Sequence, residues 1–281
     1  MRIRHLALAV AAGAILVAGC GDDDSGSSDG TAAPTGSTVV APPDNIAEKG
    51  ELLFCSDISY PPMEMYEGET PVGADIDIAK EIGVRLGVSV DFANTGFDGI
   101  IPALVGEKCD AIISSMNNTE ERREQVDFVD YLAVGQSFMV AKGNPAGIES
   151  IDDIAGKVVS VQVGTTNADY LAEKSAEFEA AGQEPIDIQI FPQDPDAATA
   201  LRTGKTDAYF GDAPVVAYYV QQNPDVFEFG GDTINPIPTG IAIRKGDPLG
   251  AAIQAVIDSM YADGTMATIL EKWSMSTSAL K

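Results

Sequence analysis

The body of the chain reads as an α/β protein built of two like lobes joined by a two-strand hinge, and three observations predict this. Short apolar runs alternate with amphipathic stretches along the whole body, the pattern of parallel strands covered by helices. The phrases Gly106-Glu107-Lys108-Cys109-Asp110-Ala111 and Gly204-Lys205-Thr206-Asp207-Ala208 each close a helix and open a strand, at similar places in two successive blocks. Residues 128–140 and 237–244 are extended apolar segments at the ends of the second block, so the chain crosses twice.

At the N-terminus, Arg2 and Arg4 precede an unbroken apolar run from Leu6 to Ala12 and then a small-residue stretch ending in Gly19-Cys20. This order is that of a secretory signal covering residues 1–19, which is removed. It is too short to cross a hydrocarbon core, which takes about 20 apolar residues. Val17-Ala18-Gly19-Cys20 resembles the lipobox of bacterial lipoproteins, which implies acylation of the Cys20 sulfur and cleavage before it. Residues 21–44 are rich in Gly, Ser, Asp and Pro with almost nothing to bury, and read as a disordered tether of root-mean-square span about 25–30 Å.

Within the body, residues 52–55 read as the first strand. Residues 74–86 space Ile78, Ile82 and Leu86 by four and read as a helix. A strand at 88–92, a short helix at 98–105, a strand at 111–114 and a helix at 119–125 complete the first block. The second block repeats the pattern with strands at 158–163, 186–191 and 208–210 and helices at 167–181, 197–203 and 214–221. A last helix runs from Pro248 to about Ala262 and returns to the first lobe. The expected lobes are therefore residues 45–133 with 238–281, and residues 134–237.

Composition excludes several classes of function. Forty-three acidic residues stand against 17 basic ones, two of which leave with the signal, so the processed chain carries about −28. Such a surface is wrong for nucleic acid. The one histidine, His5, also leaves with the signal, which excludes histidine-based nucleophile systems and histidine-bound zinc. Cys55 and Cys109 are expected to stay unpaired. One lies near the end of its strand and the other just before the start of a parallel one, which puts their Cα atoms beyond the roughly 7 Å that a disulfide tolerates.

Several residues suit a small charged ligand. If Thr119 caps its helix, Arg122 falls in the first turn, where the helix dipole disfavours a cation unless an anion is near, or it is an exposed arginine paired with a neighbouring glutamate. Gly164-Thr165-Thr166-Asn167 joins a strand to a helix, and its free N–H groups and hydroxyls suit a carboxylate or serve as plain helix caps. Asp57 and Asp212 both follow strands, at the edge where α/β sheets place ligands, or act as turn carboxylates. Tyr60 and Phe97 lie in loops after strands, where a ring either plugs a core or faces a ligand.

Taken together, SDISYPPMEM, VGADIDIAKEIG, NTGFDGIIPALVGEKCDAIISSM, TEERREQVDFVDYL, VQVGTTNADYL, DAYFGDAPVVAYY and IAIRKGDPL followed by ADGTMATILEKW resemble the polar amino-acid-binding proteins of ABC importers, bacterial solute-binding protein family 3, across residues 46–273. That resemblance implies the periplasmic binding protein type II fold. It also implies that Arg122 clamps the ligand's α-carboxylate with Thr165, Thr166 and Ser115, and that Asp212 takes the α-ammonium with Ser114 and Asn117. Tyr60 and Phe97 would sandwich the side chain and Asp57 meet its polar end. Met63, Met65, Asn117 and Asn118 depart from the family's usual residues, so side-chain specificity is not carried over. As a carboxylate left over after the zwitterion is balanced, Asp57 favours arginine, lysine, ornithine or histidine over the amides glutamine and asparagine. The expected protein is a monomer without cofactor or metal, lipid-anchored on the outer face of the cell membrane, that hands its ligand to a permease. The alternatives are a lyase resembling cyclohexadienyl dehydratases and a sensor lipoprotein.

Overall fold

The computed structural model describes residues 40–280. In chain order the helices and strands are α1 Asp44–Lys49, β1 Glu51–Ser56, β2 Met65–Glu67, β3 Thr70–Val72, α2 Ala74–Leu86, β4 Ser89–Asn94, α3 Ile100–Val105, β5 Ala111–Ile112, α4 Glu120–Gln125 and β6 Val126–Ala141. They continue with β7 Val158–Gln162, α5 Thr166–Ala180, β8 Asp187–Phe191, α6 Asp194–Arg202, β9 Ala208–Asp212, α7 Ala213–Gln222, β10 Phe227–Phe229, β11 Ile234–Arg244, α8 Leu249–Asp263 and α9 Thr265–Lys272. Among the described residues no helix is long and apolar enough to cross a membrane.

One sheet runs through the fold in the order β4-β1-β5-β11-β6-β9-β7-β8, with β10 also paired to β6. Each end is a parallel set: β1 pairs with β4 and β5, and β7 with β8 and β9. Between them lie the two long antiparallel strands. β6 pairs with β11 over residues 126–134 and, after one further pairing at Gln136, with β9 up to Val140. The β6–β11 register breaks between Ile234 and Ile237 and again between Thr239 and Gly240, which bends the ribbon where it passes from one set to the other. This is the α/β architecture with two crossings that the alternating pattern predicts.

Separate cores form at the two ends. One packs Ile46, Leu52, Phe54, Ile78, Ile82 and Leu86 with Ile241 of β11 and with Ile253, Ile257 and Met260 of α8. Another packs Phe138, Val159, Val161, Leu171 and Phe210. In α2 the residues spaced by four are buried because they form the apolar face of a 3.6-residue repeat. The helix starts where it does because Gly73 has φ +140° and a Cβ there would lie 2.1 Å from the Met63 carbonyl oxygen. With no side chain in the way, the first turn presses onto the preceding loop, and the Ala74 and Asp75 N–H groups donate to the Pro62 and Met63 carbonyls.

Several features differ from the sequence expectation. Residues 40–44, read as the end of the tether, belong to the folded body: Val40 packs on the first core, its N–H donates to the Arg85 carbonyl, and Asp44 opens α1. Cys20 and the rest of the leader and tether lie outside the described residues. The short hairpin β2–β3 and the helix α9 carry too little periodic signal to be read from sequence. Cys55 and Cys109, expected to stay apart, form a disulfide with Cα atoms 5.6 Å apart. The expectation assumed that the chain runs straight into its strand, whereas β5 is only two residues long. The chain before it folds over the sheet face onto which Cys55, Ile100 and Leu104 pack.

Candidate functional site

The strand ends converge on a narrow, nearly filled cavity between the two parallel sets. Of the residues that the sequence reading singles out, Asp57, Tyr60, Phe97, Ser114, Ser115, Asn117, Thr165, Thr166 and Asp212 line it. Arg122 is not among the lining groups. It sits beside the cavity, half-buried, with its guanidinium 5.4 Å from the centre of the Phe97 ring. Phe97 therefore presents a face to a cation, and Tyr60 is buried with its ring in the first core.

The contacts explain how each group is held. Thr119 caps α4 as expected, its hydroxyl accepting from the Arg122 N–H. The Arg122 guanidinium then donates to the Asn117 carbonyl at 2.9 Å and the Gly164 carbonyl at 3.0 Å, bridging the first block to the second. Partial burial lowers its pKa from the ordinary value, with nearby Asp169 and Asp212 opposing. Thr165 caps α5, and Thr166 Oγ1 donates to Asn117 Oδ1 at 2.6 Å. The Asn117 amide reaches Thr239 Oγ1 on β11 at 3.3 Å, which ties this loop to the crossing strand.

Further bonds cross between the two blocks. Gln162 at the end of β7 donates to Asp57 Oδ2 at 2.7 Å. The Asp212 N–H donates to the Tyr60 hydroxyl at 3.2 Å, and Ser115 Oγ lies 3.4 Å from Asp212 Oδ2. Asp57 also accepts from the Ser59 hydroxyl and the Phe97 N–H. The cavity is thus closed over by polar groups of both blocks.

Acidic side chains dominate the surroundings. Burial pushes Asp212 up to about 6, against bonds from Asn167, Tyr60 and Ser115 that stabilise its charged form. Asp194, with Tyr209 and Tyr219 hydroxyls donating to it, is pushed up to about 7, again by burial first. Glu64 is fully buried on the cavity wall, and burial plus the neighbouring Asp75 carboxylate raise it well above the usual range. It accepts from Ser114 Oγ at 2.7 Å, while its other oxygen has no partner among the described residues. Among the described residues neither Asp57 nor Asp212 forms an ion pair.

Sequence reasoning missed Glu64, Gln162 and Asn167, all of which line the cavity. Gln162 was within reach, since it ends a strand at the same sheet edge as Asp57 and Asp212. Asn167 sits in the first turn of α5, where Asn reads as a capping residue. It instead donates to Asp212 Oδ1 at 3.2 Å and accepts from Gln136 at 2.8 Å. A lone glutamate in a proline-rich loop carried no signal.

The chain is 28% identical over 232 residues to the L-cystine-binding protein of Escherichia coli strain K12, covering 81% of this chain and 84% of that one. Among solved structures it is similar to an ancestral arginine-binding protein bound to arginine, at 38% identity and TM-score 0.74, covering 80% of this chain and 98% of that one. It is also similar to an ancestral amino acid-binding protein that is a precursor of cyclohexadienyl dehydratase, at 35% identity and TM-score 0.75, over 82% and 98% of the two chains. The model of one family, the bacterial extracellular solute-binding proteins, family 3, matches residues 52–276, and with the two-block sheet and the polar cavity between its strand ends this chain belongs to that family.

Proposed function

We propose that this protein captures an amino acid with a cationic side chain outside the cytoplasmic membrane, held there through an acylated Cys20, and passes it to the permease of an ABC importer. In this reading Arg122 takes the α-carboxylate with Thr165, Thr166 and Ser115, and Asp212 takes the α-ammonium with Ser114 and Asn117. Tyr60 and Phe97 flank the side chain and Asp57 meets its far end. The observation that carries the reading is that Asp57 and Asp212, both buried, receive only neutral donors, and a buried charge favours a counter-charge. The relatives that bind arginine and cystine agree with an amino acid as ligand.

The test is a calorimetric screen of the twenty amino acids plus ornithine and citrulline. Basic amino acids are expected to bind most tightly, and Asp57→Asn to cost them at least about 1.5 kcal/mol while costing a neutral amide much less. A wild-type preference for glutamine over every basic amino acid overturns the cationic assignment and leaves the zwitterion clamp. A lyase is the second reading, favoured by the likeness to the dehydratase precursor and by the buried acid Glu64 on the cavity wall. Recovery of the ligand chemically unchanged after long incubation decides for binding.

A further inference from the structure

Ser115 has φ +44°, the left-handed region that a residue with a Cβ adopts only against a steric cost. It stands where the chain leaves β5 and turns toward Asn117, and in this conformation its hydroxyl faces Asp212 in the opposite block. Ser114 and Asn117 on either side are tied to Glu64 and Thr239, and the Ser115 backbone itself is held from beneath by Asp75. Asp75, fully buried in the first turn of α2, accepts the Ser115 N–H on Oδ2 at 2.8 Å and the Tyr131 hydroxyl on Oδ1 at 2.7 Å. Its own place is set by Gly73, whose bare Cα lets α2 start against the Met63 carbonyl. Asp75 does not line the cavity.

We propose that Asp75 is a positioning residue for ligand binding: its carboxylate holds Ser115 in the left-handed conformation and thereby aims the Ser114-Ser115 turn at the cavity. This rests on the reading of the cavity as an amino acid site. Without the Asp75 acceptor the Ser115 backbone relaxes toward an ordinary conformation, and the turn must be re-formed each time ligand binds. Strain, not contact, carries the effect. A glycine at 115 meets no such cost, because it adopts positive φ freely.

The experiment is a double-mutant cycle read by calorimetry with L-arginine as probe, alongside thermal unfolding of each ligand-free variant. Asp75→Ala is expected to weaken binding about 5- to 30-fold. Ser115→Gly alone is expected to weaken it by about fivefold or less, since it loses the hydroxyl's long bond to Asp212 and its share in holding the ligand carboxylate but keeps the shape of the turn. In the Asp75→Ala background the same Ser115→Gly change is expected to strengthen binding, while the loss of melting temperature caused by Asp75→Ala stays. A plain packing role for Asp75 predicts no such reversal. Wild-type affinity in Asp75→Ala, or a double variant weaker than Asp75→Ala alone, overturns the proposal. If Asp75→Ala does not fold, or if wild-type protein binds no amino acid, hydrogen exchange of the wild-type Ser115 amide decides. Protection matching that of the β1 amides supports the clamp, and free exchange refutes it. Absence of amino acid binding by itself refutes only the reading of the site.

Discussion

Asp212 shows how a single residue ties burial to ligand chemistry. Its carboxyl is pushed up to about 6 by burial, so in the ligand-free protein it is largely neutral below that pH. An acid whose folded pKa is raised contributes stability that is fully present below its unfolded value near 4 and is lost as pH rises through about 6. Asp75, also raised to about 6, and Asp194, raised to about 7, act in the same direction. The ligand-free protein is therefore expected to melt at higher temperature at pH 5 than at pH 7.5. An ammonium group facing Asp212 reverses the preference, because it needs the carboxylate. Binding then releases a proton, and affinity falls toward a limit of about tenfold per pH unit below about 6. Calorimetry at pH 5.5 in buffers of different ionisation enthalpy measures that release, and an apparent enthalpy independent of buffer refutes the ammonium–Asp212 pairing.

At the scale of elements, the loops that carry the site are held by connections that local propensity does not encode. The disulfide links Cys55, two residues before Asp57, to Cys109, just before β5 and the Ser114-Ser115 turn, across a sequence separation of 54. Closing a loop of that length restricts the unfolded chain, which stabilises the fold by about 2–4 kcal/mol. Replacing both cysteines with alanine is expected to lower the unfolding free energy by that amount, measured by urea titration. Non-reduced, denatured protein is expected to be two protons lighter than the reduced form, and equal masses refute the pairing. Thr119 and Thr165, by contrast, cap their helices through side chain to backbone bonds three residues away, the short-range signature that sequence reading uses.

For the whole molecule the decisive feature is that the site belongs to neither block alone. Asp57 and Arg122 come from the first and Gln162, Thr165 and Asp212 from the second, and among the described residues β6 and β11 are the long strands that cross between them. A ligand that touches both blocks is expected to favour a closed arrangement by its differential contacts, with rotation absorbed at the bend in the β6–β11 ribbon. Small-angle scattering is expected to show a smaller radius of gyration on saturation with L-arginine. No change at full occupancy, checked by calorimetry on the same sample, refutes hinge closure.

Periodicity, capping and the rule that α/β ligands sit at strand ends made the class of fold, the order of most elements and six of the cavity-lining residues legible in the chain, whereas Ser114, Ser115 and Asn117 came only through the resemblance to a known family. The Thr119 cap that puts Arg122 in the first turn of its helix was legible too. The tertiary structure decided what depends on side chains far apart in sequence. Asp75 supports Ser115 across 40 residues, Gln162 reaches Asp57 across 105, and Cys55 meets Cys109 because a two-residue strand lets the chain fold back over the sheet. No local pattern records such pairs, since each residue alone looks like an ordinary cap, strand end or buried thiol, and only the register of the sheet brings the partners within bonding distance.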